Sequence, residues 1–300
     1  NLEKFDNKIL IKKGQFQISK DLIIAKNKEL IIAAGAKIDL INNSKIISNS
    51  RIFAEGTIDN PIQFTSSDNT GQCIFVLNDK RITILKYLHF SNLSNCSDPI
   101  LELRGSVNFY NTDIQMDNIF FHNNIRGDDY LNIVDSNLFL KDLEFHNSNA
   151  DALDIDYSKG KIYNIKFINA LNDGLDMSNS SIELKNLYAK NIGDKALSVG
   201  ENSYLFGYNI EVKNSFLGIV VKDQSDIELE NVSIFNTDIG IASYIKKPEY
   251  NSAKIEIRNL KNSNNKKDYV FEQGSNINID NLNYIDFKKN VFESIYPDLN

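Results

Sequence analysis

Aspartate is concentrated in three neighbouring segments of this chain that share one short sequence motif. The copies are 22 residues apart and read Asp151-Ala-Leu-Asp154, Asp173-Gly-Leu-Asp176 and Lys195-Ala-Leu-Ser198. Carboxylates held about 5 Å apart repel, so each raises the proton affinity of its neighbour unless a cation lies between them. Such a set can act as acid and base, or it can hold a hard cation such as calcium. Lys195 is expected to supply positive charge next to Asp173 in either case.

Alternation of apolar and polar residues predicts which side chains in these segments point outward. The inward apolar pairs are Leu131/Ile133, Leu153/Ile155, Leu175/Met177, Leu197/Val199, Ile219/Val221 and Ile241/Ser243. Successive side chains of a strand face opposite sides, so the residues between these pairs form an outward column. That column reads Asn132, Asp154, Asp176, Ser198, Val220, Ala242, and the column just before the strands reads Asp129, Asp151, Asp173, Lys195, Leu217, Ile239. One face is therefore expected to be acidic over three or four repeats and apolar beyond them.

Two rows of asparagine indicate the fold that positions these aspartates. The first row is Asn118, Asp142, Asn164, Asn186, Asn209, Asn231, Asn259 and Asn281, and the second is Asn123, Asn147, Asn169, Asn191, Asn214, Asn236, Asn264 and Asp286. Asparagine tolerates left-handed backbone, and identical amides can hydrogen-bond along a stack. Two such ladders bracketing a short strand predict an all-β, right-handed parallel β-helix with coils of about 22 residues and three parallel sheets. A leucine-rich-repeat solenoid is the alternative, but helical spacing is nearly absent.

The repeat runs through most of the chain and predicts a single domain, residues 1–300. Residues 1–80 are expected to form irregular first coils and a cap, and residues 81–288 the regular coils. A loop insertion is expected near 245–253, where Pro248 could not sit in a central strand. Residues 289–300 are expected to form a C-terminal tail.

Composition excludes some classes of protein. A hydrophobic content of 42% is ample for a core, and a net charge of −7 argues against nucleic acid as the main partner. No apolar run approaches the length of a membrane span, and no secretory leader is recognisable. Cys73 and Cys96 lie about one coil apart but in different local registers, which favours two free, partly buried thiols over a disulfide.

The aspartate segments resemble the catalytic coils of polygalacturonases, the β-helix glycosidases that hydrolyse pectin. The family pattern Asn-Thr-Asp-Gly-Ile-Asp, Asp-Asp, Gly-His-Gly-Leu-Ser-Ile-Gly and Arg-Ile-Lys corresponds here to Asn149-Ala-Asp151-Ala-Leu-Asp154, Asn172-Asp173, Gly193-Asp194-Lys195-Ala-Leu-Ser198-Val-Gly200 and Val220-Val221-Lys222. The resemblance implies that Asp151 and Asp173 are catalytic carboxylates and that Lys222 binds substrate.

Three positions depart from that pattern. Asn172 replaces the general acid, Lys195 the histidine and Val220 the arginine. Asparagine cannot donate a catalytic proton, so inverting hydrolysis lacks its usual acid, and Asp194 is the candidate substitute. More broadly, the run from Ile52 to Ser66 resembles the first coils of bacterial right-handed β-helix repeat proteins of the pectin-lyase-like superfamily. That resemblance implies a secreted or cell-surface location.

These observations give a specific set of candidate residues. The predicted catalytic residues are Asp151, Asp173, Asp194 and Lys195. The predicted substrate-binding residues are Asp154, Asp176, Ser198 and Lys222. The predicted calcium ligands are Asp129, Asp154 and Asp156.

Three functions remain open from the sequence. The first is a polysaccharide hydrolase or lyase, the second a non-catalytic polysaccharide-binding or adhesin module, and the third a structural β-helix shaft. A shaft predicts a homotrimer, whereas the other two functions allow a monomer. Concentration of aspartate in three coils favours the enzyme, because a shaft should spread its polar residues evenly. An acidic groove favours a neutral glycan, or an acidic one bridged by cations.

Overall fold

Period-two alternation of apolar and polar residues makes this chain almost entirely β-strand. The computed structural model describes residues 2–77, 81–97 and 102–299. They form a parallel β-solenoid of about 12 turns with a repeat of about 22 residues, which confirms the predicted fold class. Helix in this described part is confined to α1 (Val291–Ile295) and one 3₁₀ turn (Pro297–Leu299). The chain divides into two compact units, Asn1–Asp154 and Ile155–Asn300.

The described residues of the first unit build three parallel sheets, because each coil contributes a strand to each sheet. The first sheet joins β2, β5, β8 and the leading halves of β11, β13 and β15. The second joins β3, β6, β9 and the trailing halves of the same long strands, and the third joins β4, β7, β10, β12 and β14. The strands are β1 (Leu2–Lys4), β2 (Lys8–Ile11), β3 (Gly14–Ile18), β4 (Leu22–Ile24), β5 (Glu29–Ile32), β6 (Ala36–Leu40), β7 (Ile46–Ser48), β8 (Ile52–Glu55), β9 (Ile62–Thr65), β10 (Ile74–Leu77), β11 (Thr83–Ser91), β12 (Gly105–Tyr110), β13 (Ile114–His122), β14 (Asp129–Val134), β15 (Asn137–Ser148) and β16 (Asp151–Asp156), whose last two residues belong to the second unit.

The second unit repeats this arrangement with longer strands. Its first and second sheets use successive parts of β17, β19, β20, β21 and β23, with β25 added to the first. Its third sheet joins β18, the last parts of β19 and β20, β22 and β24. The strands are β17 (Lys159–Ala170), β18 (Leu175–Ser178), β19 (Ser181–Gly200), β20 (Tyr204–Lys222), β21 (Asp226–Phe235), β22 (Ile239–Tyr244), β23 (Lys254–Ser263), β24 (Lys267–Phe271), β25 (Asn276–Ile279) and β26 (Leu282–Asn283).

The predicted asparagine ladders form the corners between sheets. Every member of the first row has a left-handed backbone, with φ between 54° and 66°, and so does the second row from Asn123 to Asn264, with φ between 52° and 59°. Asn209 Nδ2 donates to Asn186 Oδ1 at 2.9 Å, and equivalent bonds recur along both rows. Asp286 lacks the left-handed backbone, so the second row ends at Asn264, one coil earlier than expected.

A serine ladder occupies the remaining corner and was not predicted from the sequence. The backbone N–H of Ser158 donates to Ser180 Oγ at 3.0 Å, and the same bond joins Ser180 to Ser203 and Ser203 to Ser225. Serine is common in turns of every kind, so its periodicity is a weaker signal than that of asparagine. The coils are therefore held by side-chain ladders at all three corners of the second unit.

Cys73 and Cys96 form a disulfide, so the prediction of free thiols is wrong. Both cysteines are fully buried and pack with Phe75 and Leu103 on the first unit. The mismatch in strand register that favoured free thiols does not apply, because Cys96 lies in the segment after β11 rather than in a strand. The Leu103 N–H donates to the Cys96 carbonyl at 2.9 Å, and Leu103 packs in the same cluster as Cys96 and Phe75.

The residues after β26 fold back onto the second unit. Val291 is fully buried against Leu217, Val220 and Ala242, and Phe292, Ile295 and Tyr296 pack around it. The Glu272 carboxylate accepts the backbone N–H groups of Asn290 and Val291 at 3.0 and 2.9 Å, which satisfies donors at the start of α1. We call residues 290–299 the C-terminal latch.

Candidate functional site

The third sheet of the second unit carries four of the residues that the sequence singles out: Asp176, Lys195, Ser198 and Lys222. Its register pairs Asp176 with Ser198, Ser198 with Val220, and Val220 with Ala242, as predicted. Lys195 pairs in turn with Leu217, and Leu217 with Ile239. Within the second unit, the predicted columns are therefore confirmed from Asp176 to Ala242 and from Lys195 to Ile239.

Asp173 and Lys195 form a buried ion pair. Asp173 Oδ1 accepts the backbone N–H of Lys195 at 2.9 Å and lies 3.1 Å from its Nζ. The side chains are only 2% and 10% exposed, and the ammonium also pairs with Asp194. Burial alone lowers the pKa of Lys195, but the Asp173 and Asp194 carboxylates leave that pKa well above its usual value. Lys195 is therefore a fixed cation between two carboxylates.

Tyr296 of the C-terminal latch covers this pair. Its hydroxyl donates to Asp194 Oδ1 at 2.7 Å, and Lys195 Nζ lies 5.7 Å from the centre of its ring. Burial raises the pKa of the Tyr296 phenol far above its usual value, so it remains a donor. Tyr244 lies edge-on to the same ring, and burial raises its pKa to about 12. Neutral phenols therefore cover the site, one from the latch and one from β22.

A second ion pair joins the buried Lys222 to the partly exposed Asp176. Lys222 Nζ lies 3.5 Å from Asp176 Oδ1, and the Lys222 side chain is 5% exposed. Burial raises the pKa of Asp176, but attraction to Lys222 and Lys195 and hydrogen bonds from Ser198 and the Met177 N–H together outweigh it, and the pKa lies below its usual value of 3.8. A Cβ on Gly200 would overlap the Lys222 stem, so the glycine provides the room that the lysine occupies.

The outward column is covered rather than solvated. Ser198, Val220 and Ala242 are all fully buried, although alternation places them on the outer face of the sheet. The C-terminal latch packs over the Val220 and Ala242 end of the column. The pattern Val291-Phe292 then Ile295-Tyr296 has helical spacing, and this is the signal that could have predicted a packed helix in place of a plain tail.

The remaining predicted residues lie closer to the start of the chain. Asp129, Asp151 and Asp154 belong to the first unit and are 1%, 7% and 5% exposed, so they do not form a solvated acidic face. Asn132 Nδ2 donates to Asp154 Oδ2 at 3.0 Å. Asp156 lies in the second unit, so the predicted calcium ligands are divided between the two units.

Two aspartates of the second unit already face a cation of the protein itself. Calcium takes six to eight oxygen ligands. Asp173 and Asp176 instead each face a lysine ammonium, which supplies the positive charge that a cation would bring. We therefore derive no chemistry through calcium at these residues.

A groove lies on another face of the second unit, along the corner between its first and second sheets. Its volume is about 590 Å³. It is lined by Asn164, Ile165, Lys166, Asn186, Leu187, Tyr188, Asn209, Ile210, Glu211, Asn231, Ser233, Asn259 and Lys261. Sequence reasoning missed it, because the asparagine row was interpreted only as a turn ladder.

Comparison with known proteins finds only distant structural similarity. No protein-family model and no curated protein matches the chain. An alginate lyase from Paenibacillus sp. str. FPU-7 is 11% identical with a TM-score of 0.39, over 81% of this chain and 93% of that one. The catalytic domain of a GH87 alpha-1,3-glucanase in complex with nigerose is 12% identical with a TM-score of 0.43, over 90% and 65%. PfbA, a surface adhesin of Streptococcus pneumoniae, is 10% identical with a TM-score of 0.31, over 91% and 85%.

Proposed function

We propose that this chain is a β-helix protein that binds polysaccharide without cleaving it. The observation that carries the proposal is the buried Asp173–Lys195 pair beneath Tyr296. A general acid or base must come within hydrogen-bond reach of the bond that reacts. Asp173 is 2% exposed and held by a fixed cation, so its role is to join adjacent coils.

Binding is supported by the groove along the asparagine corner. Ligand sites of proteins are concave, occupy roughly 300–1,000 Å³ and combine a few polar groups with apolar or aromatic surface. The groove has this size, and asparagine amides and Tyr188 line it. Uncharged amides and an aromatic ring suit sugar hydroxyls and the apolar faces of pyranose rings.

The disulfide supports a secreted or cell-surface location. Structural disulfides persist in oxidising compartments and are rare in the reducing cytosol. Cys73–Cys96 is fully buried and is therefore a structural bond. In the part of the chain that the structure describes, no helix has the length and apolar character that a membrane span requires.

A panel of polysaccharides tests binding and cleavage together. Retention in affinity gels would be measured for hydroxyethyl cellulose, glucomannan, xylan, polygalacturonate and alginate. Release of reducing ends and of unsaturated sugars would be followed with and without calcium. We expect retention by an uncharged polysaccharide and no product. Product formation that Asp173→Asn abolishes would establish an enzyme instead, and a wild type retained by nothing would favour the shaft.

The stability of Asp173→Asn tests whether Asp173 links adjacent coils or takes part in catalysis. Loss of one partner from a buried pair typically costs 3–5 kcal/mol, and we expect about 3 kcal/mol because Asp194 still faces the ammonium. Asp238→Asn is the matched control, because its partner Lys266 is 75% exposed and such pairs contribute about 0–1 kcal/mol. Urea denaturation measures both variants. An Asp173→Asn protein as stable as wild type would contradict the joining role.

A further inference from the structure

The floor of the groove is a row of asparagine side chains, one from each of five successive coils. They are Asn164, Asn186, Asn209, Asn231 and Asn259. They lie at the corner where a left-handed residue turns the chain from the first sheet into the second. The row is part-exposed to exposed, and the groove follows it from coil to coil.

The three inner asparagines of this row (the inner rungs), Asn186, Asn209 and Asn231, have more hydrogen-bonding groups than their bonds to each other use. Asn209 donates one bond to Asn186 at 2.9 Å and accepts one from Asn231 at 3.3 Å. A side-chain amide has two donor hydrogens and two acceptor lone pairs. The ladder uses one of each, so every inner rung retains one donor and one acceptor. Paired donors and acceptors of this kind match sugar hydroxyls, which also donate and accept.

The wall of the groove carries two lysines and one glutamate, and the two lysines lie at opposite ends of the row. The residues that line it from the second sheet are Lys166, Tyr188, Glu211, Ser233 and Lys261. Glu211 pairs with Lys213, whose Nζ lies 5.6 Å from the centre of the Tyr188 ring. This wall holds no cluster of cations that would select a polyanion, and the chain as a whole carries −7.

The spacing of the rungs selects an extended polymer over a small compact ligand. Adjacent parallel strands lie about 4.8 Å apart, so the same amide recurs at that interval along the groove. A pyranose ring linked equatorially at both ends advances the polymer by about one ring length, which is comparable. Each ring of such a chain can therefore lie opposite one amide. Neighbouring rings are turned over relative to each other, and an amide that both donates and accepts can bond the hydroxyls of either edge.

We propose that this groove binds a linear, uncharged polysaccharide lengthwise, with one sugar ring to each coil. The inference rests on the proposed function and names its site and its ligand class. Tyr188 provides the aromatic surface near the middle of the row. Nothing in the buried Asp173–Lys195 pair takes part in this binding.

Two variants change the groove without breaking the ladder. Tyr188→Ala removes the aromatic surface, and Ser233→Trp fills the groove. The matched controls are Tyr157→Ala, at an exposed tyrosine of the same unit, and Ser263→Trp, at an exposed serine beside the groove wall. Circular dichroism and melting temperature check that all four variants are folded.

Affinity gels containing hydroxyethyl cellulose or glucomannan provide the readout. We expect both groove variants to weaken retention about tenfold, the scale of one aromatic contact, and both controls to bind as wild type does. With cello-oligosaccharides of increasing length, affinity should rise until the five rungs are filled and then level off.

Three results would overturn the inference. Equal retention of wild type and both groove variants would place the binding site elsewhere and leave the proposed function standing. Retention of polygalacturonate or alginate alone would reject the uncharged ligand class. A wild type that no polysaccharide retains would reject the proposed function together with the groove.

Discussion

At the scale of single residues, Lys195 and Lys222 decide how the aspartates behave. Both lysines are buried. Lys195 Nζ lies 3.1 Å from Asp173 of the adjacent coil, whereas Lys222 reaches past one intervening coil to lie 3.5 Å from Asp176. The 22-residue period predicted that Lys195 would stack next to Asp173. It could not predict that both side chains would be buried, because their cover comes from Tyr296, about a hundred residues further along the chain.

The Asp176–Lys222 pair predicts a specific dependence of stability on pH. At neutral pH, Asp176→Asn leaves the buried ammonium without its carboxylate, and we expect a loss of about 2 kcal/mol, reduced from the fully buried range because Asp176 is partly exposed. The pKa of Asp176 is lower in the folded protein than its ordinary value of 3.8. Its contribution is therefore complete above pH 3.8 and is lost as the pH falls through the folded-state pKa.

Urea denaturation of wild type and Asp176→Asn across the acid range tests this. The difference in unfolding free energy should be largest at neutral pH and should shrink below pH 3.8. Asp238→Asn, at an exposed pair, should differ little from wild type at any of these pH values. A difference for Asp176→Asn that stays constant down to acid unfolding would contradict the depressed pKa.

At the scale of elements, strands and corners were predictable but covering segments were not. A corner residue such as Asn186 must have a left-handed backbone in every coil, so its type repeats visibly in the sequence. Segments that cover a face occur once and have no period. For this reason the sequence predicted the sheets but missed both the packed α1 and the segment that brings Cys96 to Cys73.

The C-terminal latch offers a prediction at this scale. Val291→Ala removes a fully buried side chain from the cluster around Val220, and we expect unfolding free energy to fall by about 2 kcal/mol. A dye that binds exposed apolar surface should bind the variant more strongly than wild type. Glu293→Ala in the same helix is the control, because Glu293 is exposed. Equal dye binding and equal stability in both variants would show that the latch does not cover the sheet in solution.

At the scale of the whole molecule, composition and charge bear on the class of polysaccharide. The chain has 40 acidic and 33 basic residues, which gives a net charge of −7. The sequence alone suggested a neutral glycan because aspartate was expected to line a groove. The structure buries Asp129, Asp151, Asp154 and Asp173. The same ligand class now follows from the net charge together with a groove wall whose two lysines are far apart.

The dependence of binding on ionic strength tests whether the protein prefers an uncharged polysaccharide or binds a polyanion through its charge. A protein of net negative charge repels a polyuronate, and added salt screens that repulsion. We therefore expect polygalacturonate to be retained weakly at low salt and no less strongly at high salt, while retention of glucomannan stays constant. Affinity gels run at low and high sodium chloride provide the measurement, with magnesium chloride at matched ionic strength as the control for divalent bridging. Tight retention of polygalacturonate at low salt that weakens as salt rises would reveal a basic binding face, and the neutral-glycan assignment would then be wrong.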